Sequence, residues 1–461
     1  MRASGVHERP AGRFRPRRMR LLLVFGIAVA LVVVHASPAM AHTRLAATEP
    51  TDGASLEASP DRVALTFDGP VHIGPGAVHL LTSTGEELPT GVGHQGARRD
   101  VVEALPPHLP PDAYTVTWRV ISVDGDPVTG TFSFTIEAFE PLPAGPKPAP
   151  TSPVPDVDGA TSGDGVAAAR ALSRFIGFAA MILLVAVALD ATILRPTPVL
   201  VRRARLLALL AGSLVAVSSA LGVTIGAAHA AGADFAQAID PDVVRPFLET
   251  TPARAAIVRG TLALALVVGV IISHDALRRR SRATATAVTI VIVGTFAASG
   301  HAISGDHVRA AVVADFVHLL AVGVWLGGLA SMLVLGGVHH ERAARRFSAV
   351  AAWSVALIIA TGWFAAWRQL RTLDHLTTTE YGRTLIVKLA LVGVLLALGA
   401  VSRRTVRRWS HGRLARLVTA ETVVAVLVLA ATTTLVSTNP GMPSDPSATP
   451  HVGAAAVDNE R

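Results

Sequence analysis

Residues 315–329 read Asp315-Phe316-Val317-His318-Leu319-Leu320-Ala321-Val322-Gly323-Val324-Trp325-Leu326-Gly327-Gly328-Leu329, an almost wholly apolar run that carries one carboxylate and one imidazole. It lies inside a longer apolar stretch, residues 310–336. A helix needs ~20 such residues to cross a ~30 Å hydrocarbon core, so this run reads as a transmembrane span. Further runs of similar length lie near residues 171–194, 205–229, 255–274, 284–304, 347–367, 384–402 and 416–436. Mean hydropathy over the 461 residues is +0.49, and only 16% of them are charged, against ~25% in a typical soluble domain. The C-terminal part is expected to be an all-α polytopic bundle of about eight transmembrane helices. No internal repeat is visible in it.

The loops outside these runs set the topology. Arg195, Arg202, Arg203 and Arg205 follow the first run, and Arg278, Arg279, Arg280 and Arg282 follow the third. Arg342, Arg345 and Arg346 come next, then Arg403, Arg404, Arg407, Arg408, Arg413 and Arg416. These are alternate loops, and basic loops stay in the cytoplasm. The remaining loops carry Asp234, Asp240, Asp242, Glu249, Asp306, Asp374 and Glu380. The net charge of +8 is thus concentrated in loop clusters, which fits membrane orientation and not nucleic-acid binding.

Upstream, residues 137–166 hold Pro141, Pro143, Pro146, Pro148, Pro150, Pro153 and Pro155, the composition of an extended tether. Before it, residues 42–136 alternate apolar and polar side chains, as in Tyr114-Thr115-Val116-Thr117-Trp118-Arg119-Val120 and Thr131-Phe132-Ser133-Phe134-Thr135-Ile136. Turn signals such as Asp52-Gly53, Pro110-Pro111-Asp112 and Asp124-Gly125 separate the runs. Short strands with period 2 predict an all-β, immunoglobulin-like sandwich. Residues 1–41 read as a secretory signal: Arg13 to Arg20 are basic, residues 21–34 are apolar, and Ala39-Met40-Ala41 is a cleavage pattern. Cleavage there would make His42 the new N-terminus, and an uncleaved anchor helix is the alternative. The Pro-rich residues 441–461 are expected to be a disordered tail. The sandwich, the tether and the tail are then all outside a multi-pass cytoplasmic-membrane domain, residues 167–440.

The sandwich stretch resembles CopC, the periplasmic copper-binding protein of bacterial copper resistance. The resemblance rests on His42, Glu49-Pro50-Thr51-Asp52-Gly53-Ala54, Pro60-Asp61-Arg62-Val63, residues 114–125 (with Trp118-Arg119-Val120-Ile121-Ser122-Val123-Asp124-Gly125) and Gly130-Thr131-Phe132-Ser133-Phe134. It implies that Cu(II) is held by the amine and imidazole of the N-terminal His and by an Asp-Gly-His turn. Here that gives His42 and Asp124, with Asp126 standing where the family has histidine. A carboxylate is a weaker copper ligand than imidazole. Either the site is degraded, or His72, His79, His94 or His108 supplies the missing nitrogen. The membrane part resembles CopD, the inner-membrane partner of CopC. That resemblance rests on Ser299-Gly300-His301-Ala302, on residues 315–329, on Tyr381-Gly382-Arg383 with Lys388-Leu389-Ala390-Leu391, and on Glu421 with the ending Ser437-Thr438-Asn439-Pro440. It implies copper movement across or into the membrane.

Ionisable groups in lipid are functional candidates by default. Asp315, His318, Trp325 and Met332 recur at helical spacing on one face. His229 ends the second run and His301 lies near the end of the fourth, so three histidines are expected in the outer half of the bundle. Each is either a copper ligand or a residue of the interface or core. Lys388 either partners Asp315 or snorkels to the interface. His318 is the second expected partner of Asp315. Gly327-Gly328 reads as helix packing. Asp190 and Glu421 are expected either to pair with cytoplasmic Arg residues or to guide an ion outwards from the bundle. Met181 and Met332 are the only Met residues in the spans, and there is no Cys, which leaves little for a soft Cu(I) pathway and excludes disulfides and thiolate sites. No phosphate-binding loop or nucleophile triad is present, so neither ATP-driven transport nor enzymatic chemistry is expected. The reading is copper capture followed by delivery to the membrane domain. The alternatives are a b-type haem redox protein, and a copper sensor or scaffold without transport.

Overall fold

The computed structural model describes residues 43–91, 94–95, 99–137, 164–193, 198–272, 279–300, 307–334, 336, 339–369, 380–408 and 410–437. The expectations for the signal, His42, most of the tether, His301 and the tail lie outside the described residues.

Among the described residues, ten strands form the N-terminal domain: β1 Leu45–Glu49, β2 Ala54–Leu56, β3 Arg62–Phe67, β4 Val71–His72, β5 Val78–Leu81, β6 Glu87–Leu88, β7 His94–Gln95, β8 Asp100–Ala104, β9 Ala113–Ser122 and β10 Pro127–Ile136. One sheet has the order β1-β3-β8-β7, and the other β2-β10-β9-β5-β6 with β4 also on β9. The period-2 pattern explains the packing. Tyr114, Val116, Trp118 and Val120 of β9 face the sandwich core with Phe67, Phe132 and Phe134. Trp118 meets Phe67 edge-on at 5.3 Å, a favoured aromatic geometry. The opposite face of β9 carries Arg119 and Ile121, and Ile121 is only 1% exposed. A sheet face that buries an Ile outside its own sandwich needs a cover, and the helical domain provides it. Ile121 joins Ile225, Ala228, Phe247 and Ala253 in one apolar cluster.

The helical domain runs α1 Asp164–Ile193, α2 Pro198–Ala231, α3 Pro241–Leu248, α4 Thr251–Ile272, α5 Arg279–Ala297, α6 Val308–Val334, α7 Glu341–Gln369, α8 Glu380–Arg408 and α9 His411–Ser437. Among the described residues, seven helices contain stretches long and apolar enough to cross a membrane: Gly165–Leu189, Val201–Ala231, Thr251–Ile272, Val308–Val334, Glu341–Arg368, Gly382–Arg408 and Gly412–Thr433. The eighth expected span is the shorter apolar helix Arg282–Ala297. It stops early because the chain turns at Ser299, whose amide and hydroxyl both donate to the Phe296 carbonyl, at 3.1 and 3.0 Å.

Close backbone approach is visible at Gly327 of α6. A Cβ there would lie 2.7 Å from the Ile182 carbonyl oxygen of α1, so α1 and α6 pack at a distance only glycine allows. Trp325 and Met332 are 6% and 3% exposed and sit in an apolar cluster with Phe347, Leu395 and Val418. Met181 is buried in the neighbouring cluster with Val215, Ile292 and Phe316.

Candidate metal centre at the domain junction

The β9–β10 hairpin carries Asp124, Gly125 and Asp126. Gly125 has φ of +80°, and its amide donates to the Ser122 carbonyl at 2.8 Å. The Ser122 amide in turn donates to the Asp126 carbonyl at 3.0 Å. This turn touches the bundle directly. A Cβ on Gly125 would lie 2.6 Å from Pro252 Cγ and 3.2 Å from the Phe247 ring, so both the left-handed backbone and the contact demand glycine. The Thr251 amide at the start of α4 donates to the Val123 carbonyl at 3.0 Å.

Polar contacts then lock the face of β9 to α1 and α2. Arg170 Nη2 meets Asp126 Oδ1 at 3.1 Å, with both side chains largely buried. Arg119 donates from Nε to the Ala230 carbonyl at 3.0 Å and from Nη2 to the His229 carbonyl at 2.8 Å. Those carbonyls end α2, where a helix leaves acceptors unfilled and where the macrodipole favours a cation. Burial holds the Arg119 guanidinium below its ordinary pKa. The His229 ring lies within electrostatic reach of Asp126, Arg170, Arg119 and Arg174. The hairpin aspartate and the α2 histidine, read separately from sequence, are therefore neighbours.

Thr43, the first described residue, is 4% exposed, and its hydroxyl hydrogen-bonds that of Ser122 at 3.1 Å. That contact tethers the chain directly after His42 beside the hairpin.

The candidate replacement histidines are spread over the sandwich. His72 pairs in register with Ile121, and its Nδ1 lies 3.6 Å from Glu249 Oε2 beyond the end of α3. His79 Nδ1 bonds Glu87 Oε1 at 2.5 Å on the exposed β5–β6 edge. His108 sits in a loop with φ of +61°, and His94 belongs to β7 of the other sheet. Of these, His72 lies nearest the hairpin in the sheet. Among the described residues, no three His, Asp or Glu side chains form a ready-made metal cluster.

Further along the bundle, the His318 ring makes its hydrogen bond with α7. Nδ1 lies 2.8 Å from Thr361 Oγ1, and the ring also bonds the Ile358 carbonyl. The Thr361 hydroxyl already donates to the Leu357 carbonyl at 2.7 Å, so it accepts from Nδ1–H. Asp315, one turn away, interacts with Lys388 of α8, and Lys388 also acts on His318. Of the two partners expected for Asp315, the cross-bundle lysine is within electrostatic reach, and threonine takes the place beside the ring. The Asp315 Oδ2 atom lies beside Gly300, 3.8 Å from where a Cβ there would be.

Glu421 is 2% exposed and accepts a hydrogen bond from Ser402 of α8. The expected arginine pairing is replaced by this interhelical contact, because Glu421 lies nearly three turns inside α9. Nothing is described of the Asp190 side chain.

Four arginines at the junction were not singled out as site residues: Arg119, Arg170, Arg174 and Arg259. The signal was present for Arg174 and Arg259, which fall inside apolar runs just as Asp315 does.

The fold and the junction define a multi-pass membrane protein with a β-sandwich seated on one end of its helical bundle. Residues 45–137 match the CopC domain family, residues 165–311 the N-terminal domain of copper resistance protein D-like proteins, and residues 341–435 copper resistance protein D. The chain joins a CopC domain to a CopD copper resistance membrane domain. It is 27% identical over 435 residues to the copper transport protein CutJ of Bacillus subtilis, covering 91% of this chain and 78% of that one. Its sandwich is 27% identical over 99 residues to protein YobA of Escherichia coli, covering 21% of this chain and 80% of that one. Solved structures similar to it include CopC from Methylosinus trichosporium OB3b, with 32% identity, coverage of 22% of this chain and 99% of that chain, and a TM-score of 0.20. PcoC, a methionine rich copper resistance protein from Escherichia coli, is 25% identical, with coverage of 21% and 100% and a TM-score of 0.20.

Proposed function

We propose that this chain captures copper on its sandwich, outside the cytoplasm, and hands it to the membrane bundle for homeostasis or uptake. Copper is the cargo. The observation that carries the reading is the docking of the Asp124–Asp126 hairpin against the His229 end of α2. A ligand set made of His42, Asp124 and Asp126 would release its ion within reach of an imidazole that belongs to the membrane domain.

The Arg170–Asp126 ion pair gives the transfer a direction. The Asp126 carboxylate cannot give its full charge to both a guanidinium and a copper ion. When the hairpin is docked, Arg170 competes for Asp126 and weakens the metal site beside His229. His301 and His318 are the next nitrogen ligands in this scheme. The Thr361 contact supports that role: it holds the proton on Nδ1 and leaves the lone pair of neutral His318 on Nε2, the form that binds metal. Asp315 and Lys388 lie within electrostatic reach of each other, and Lys388 within reach of the ring, while Trp325 and Met332 pack the helix that carries it. Cu(II) is the form the oxygen and nitrogen ligands of the sandwich suit.

Copper flux into vesicles containing this protein alone tests the reading. Uptake that depends on the protein and falls in a His229→Ala variant is expected. Copper binding without flux would reduce the protein to a sensor or scaffold. A Soret band in the purified protein would favour the haem alternative.

A further inference from the structure

Glu421 occupies a core position of α9. Leu414, Val418 and Ala425 are buried on the same helix face, at the spacing that stacks side chains along one stripe. Those three pack with Trp325 and Met332 of α6 and with Leu395 and Val406 of α8 in one apolar cluster. A carboxylate therefore stands in a stripe whose other members are hydrocarbon. Its polar contacts are few. Oε1 accepts from the Ser402 hydroxyl of α8. Oε2 faces Gly399, where a Cβ would lie 4.0 Å away and where there is no side chain to donate.

Among the described residues, the Ser402 hydroxyl is the polar influence on Glu421, and no charged group reaches it. Helix α9 packs against α8, α6 and α1, and the titratable groups of these helices are engaged or exposed elsewhere. Arg403, Arg404, Arg407 and Arg408 of α8 are exposed, as are Arg413 and Arg416 of α9. Lys388 of α8 lies within reach of Asp315 and His318 of α6, and α6 carries no titratable residue beyond His318. Arg170 and Arg174 of α1 line the hairpin end of the bundle. Arg345 of α7, near the same apolar cluster, pairs with Glu341 and donates to the Arg407 carbonyl. The side chains of Asp190 and His411 lie outside the described residues.

An ionised carboxylate without a counter-charge is costly in lipid, and a proton removes that cost. A metal ion would need more than one carboxylate and one hydroxyl, and no group of three His, Asp or Glu side chains forms among the described residues. A route for the proton is present. Thr405, buried like Ser402, lies one turn further along α8, and its hydroxyl donates to the Val401 carbonyl at 2.9 Å. With the Arg-rich loops taken as cytoplasmic, the line Glu421–Ser402–Thr405 leads to the cytoplasmic end of the bundle. Glu421 itself is ten residues inside α9, ~15 Å along its axis.

We infer that Glu421 is a proton-exchange site of the bundle, carrying a proton in the resting chain and releasing it past Ser402 and Thr405. The O–H bond breaks, the carboxylate keeps the electron pair, and the proton leaves to the cytoplasmic side. A second half of the inference rests on the copper reading above: the proton leaves when a copper ion enters the bundle, because the ion brings the positive charge that the carboxylate lacks.

The test is infrared spectroscopy of the full chain at neutral pH, without copper, in a maltoside detergent that has no carbonyl of its own. A protonated-carboxyl C=O band that shifts in D2O is expected, and its loss in Glu421→Gln, which keeps the shape of the neutral acid. Absence of the band in the unaltered protein overturns the site. So does a band that persists in Glu421→Gln and vanishes in Asp315→Asn. Should Glu421→Gln fail to fold, Glu421→Asp keeps the acid but moves it, and an unchanged band there overturns the assignment. Saturating Cu(II) should remove the Glu421 band. A band that survives with copper bound overturns the coupling. Failure to bind copper at all ends the capture reading and the coupling with it, while the copper-free band still decides the proton site.

Discussion

The junction and the α6–α8 cluster both bury charge, but they do so from different raw material. At the junction, Asp126, Arg170, Arg119 and the His229 carbonyl come from two domains and from positions up to 110 residues apart. In the cluster, Asp315 and His318 lie one turn apart on a single helix, and only their partners Thr361 and Lys388 come from elsewhere. The junction is thus a contact between two domains, held by the apolar cluster around Ile121 and by a handful of polar bonds. The cluster is bolted into the packing of α6 against α7. The first suits a place where cargo changes hands, and the second suits a fixed station along the route.

The sharpest way to break this contrast is at the fixed station. His318→Ala should abolish copper-dependent function while the protein still inserts, as read by cellular copper content and membrane abundance. Thr361→Val should weaken function less, because the Ile358 carbonyl still orients the ring. Normal copper handling by His318→Ala at normal abundance would end the claim that α6 carries the metal.

A smaller loss is expected where the chain enters the junction. If His42 binds through its free amine, one Gly placed ahead of it removes the chelate. Cu(II) affinity of the purified chain should fall about a hundredfold, ~2.8 kcal/mol. An unchanged dissociation constant would rule out an N-terminal site and shift attention to His72.

The third effect is smaller again and of opposite sign. Asp126→His supplies the imidazole that the turn lacks, and should tighten Cu(II) binding about tenfold, ~1.4 kcal/mol. The same change removes the partner of Arg170. Transfer to the bundle should therefore slow even as capture improves. Faster flux together with tighter binding would contradict the docking scheme.

How much of this was legible depends on how local the signal is. The period-2 runs placed β9 and β10, and apolar length placed seven spans. The run 284–304 overstated its helix because hydropathy does not register the turn at Ser299. Helix α3 was passed over as an acidic loop. Yet Asp240 caps it by accepting from the Asp242 amide at 2.9 Å, and Pro241 opens it, a readable start signal. Asp124, Asp126 and His229 could each be named from sequence, but not their meeting, which depends on Ile121 and Phe247 burying together across domains. Thr361 carried no signal, since a span hydroxyl usually serves its own helix.

The smallest expected effect probes the competition at the junction. Arg170 and Asp126 are 12% and 22% exposed in their side chains. Their ion pair is therefore only partly desolvated, and such pairs contribute little net stability. Arg170→Gln keeps the side-chain length and most of the packing but removes the competing charge. Freed from Arg170, Asp126 should hold Cu(II) about threefold more tightly, ~0.7 kcal/mol. Docking should loosen at the same time, because Arg119 alone then ties the polar face of β9 to the end of α2. Hydrogen exchange at the Thr251 amide, which bonds the Val123 carbonyl across the interface, reads that loosening. Tighter copper binding with faster Thr251 exchange is the expected pair of results. Weaker copper binding would mean that Arg170 supports the metal site and does not compete with it, and the proposed direction of transfer would fail with it.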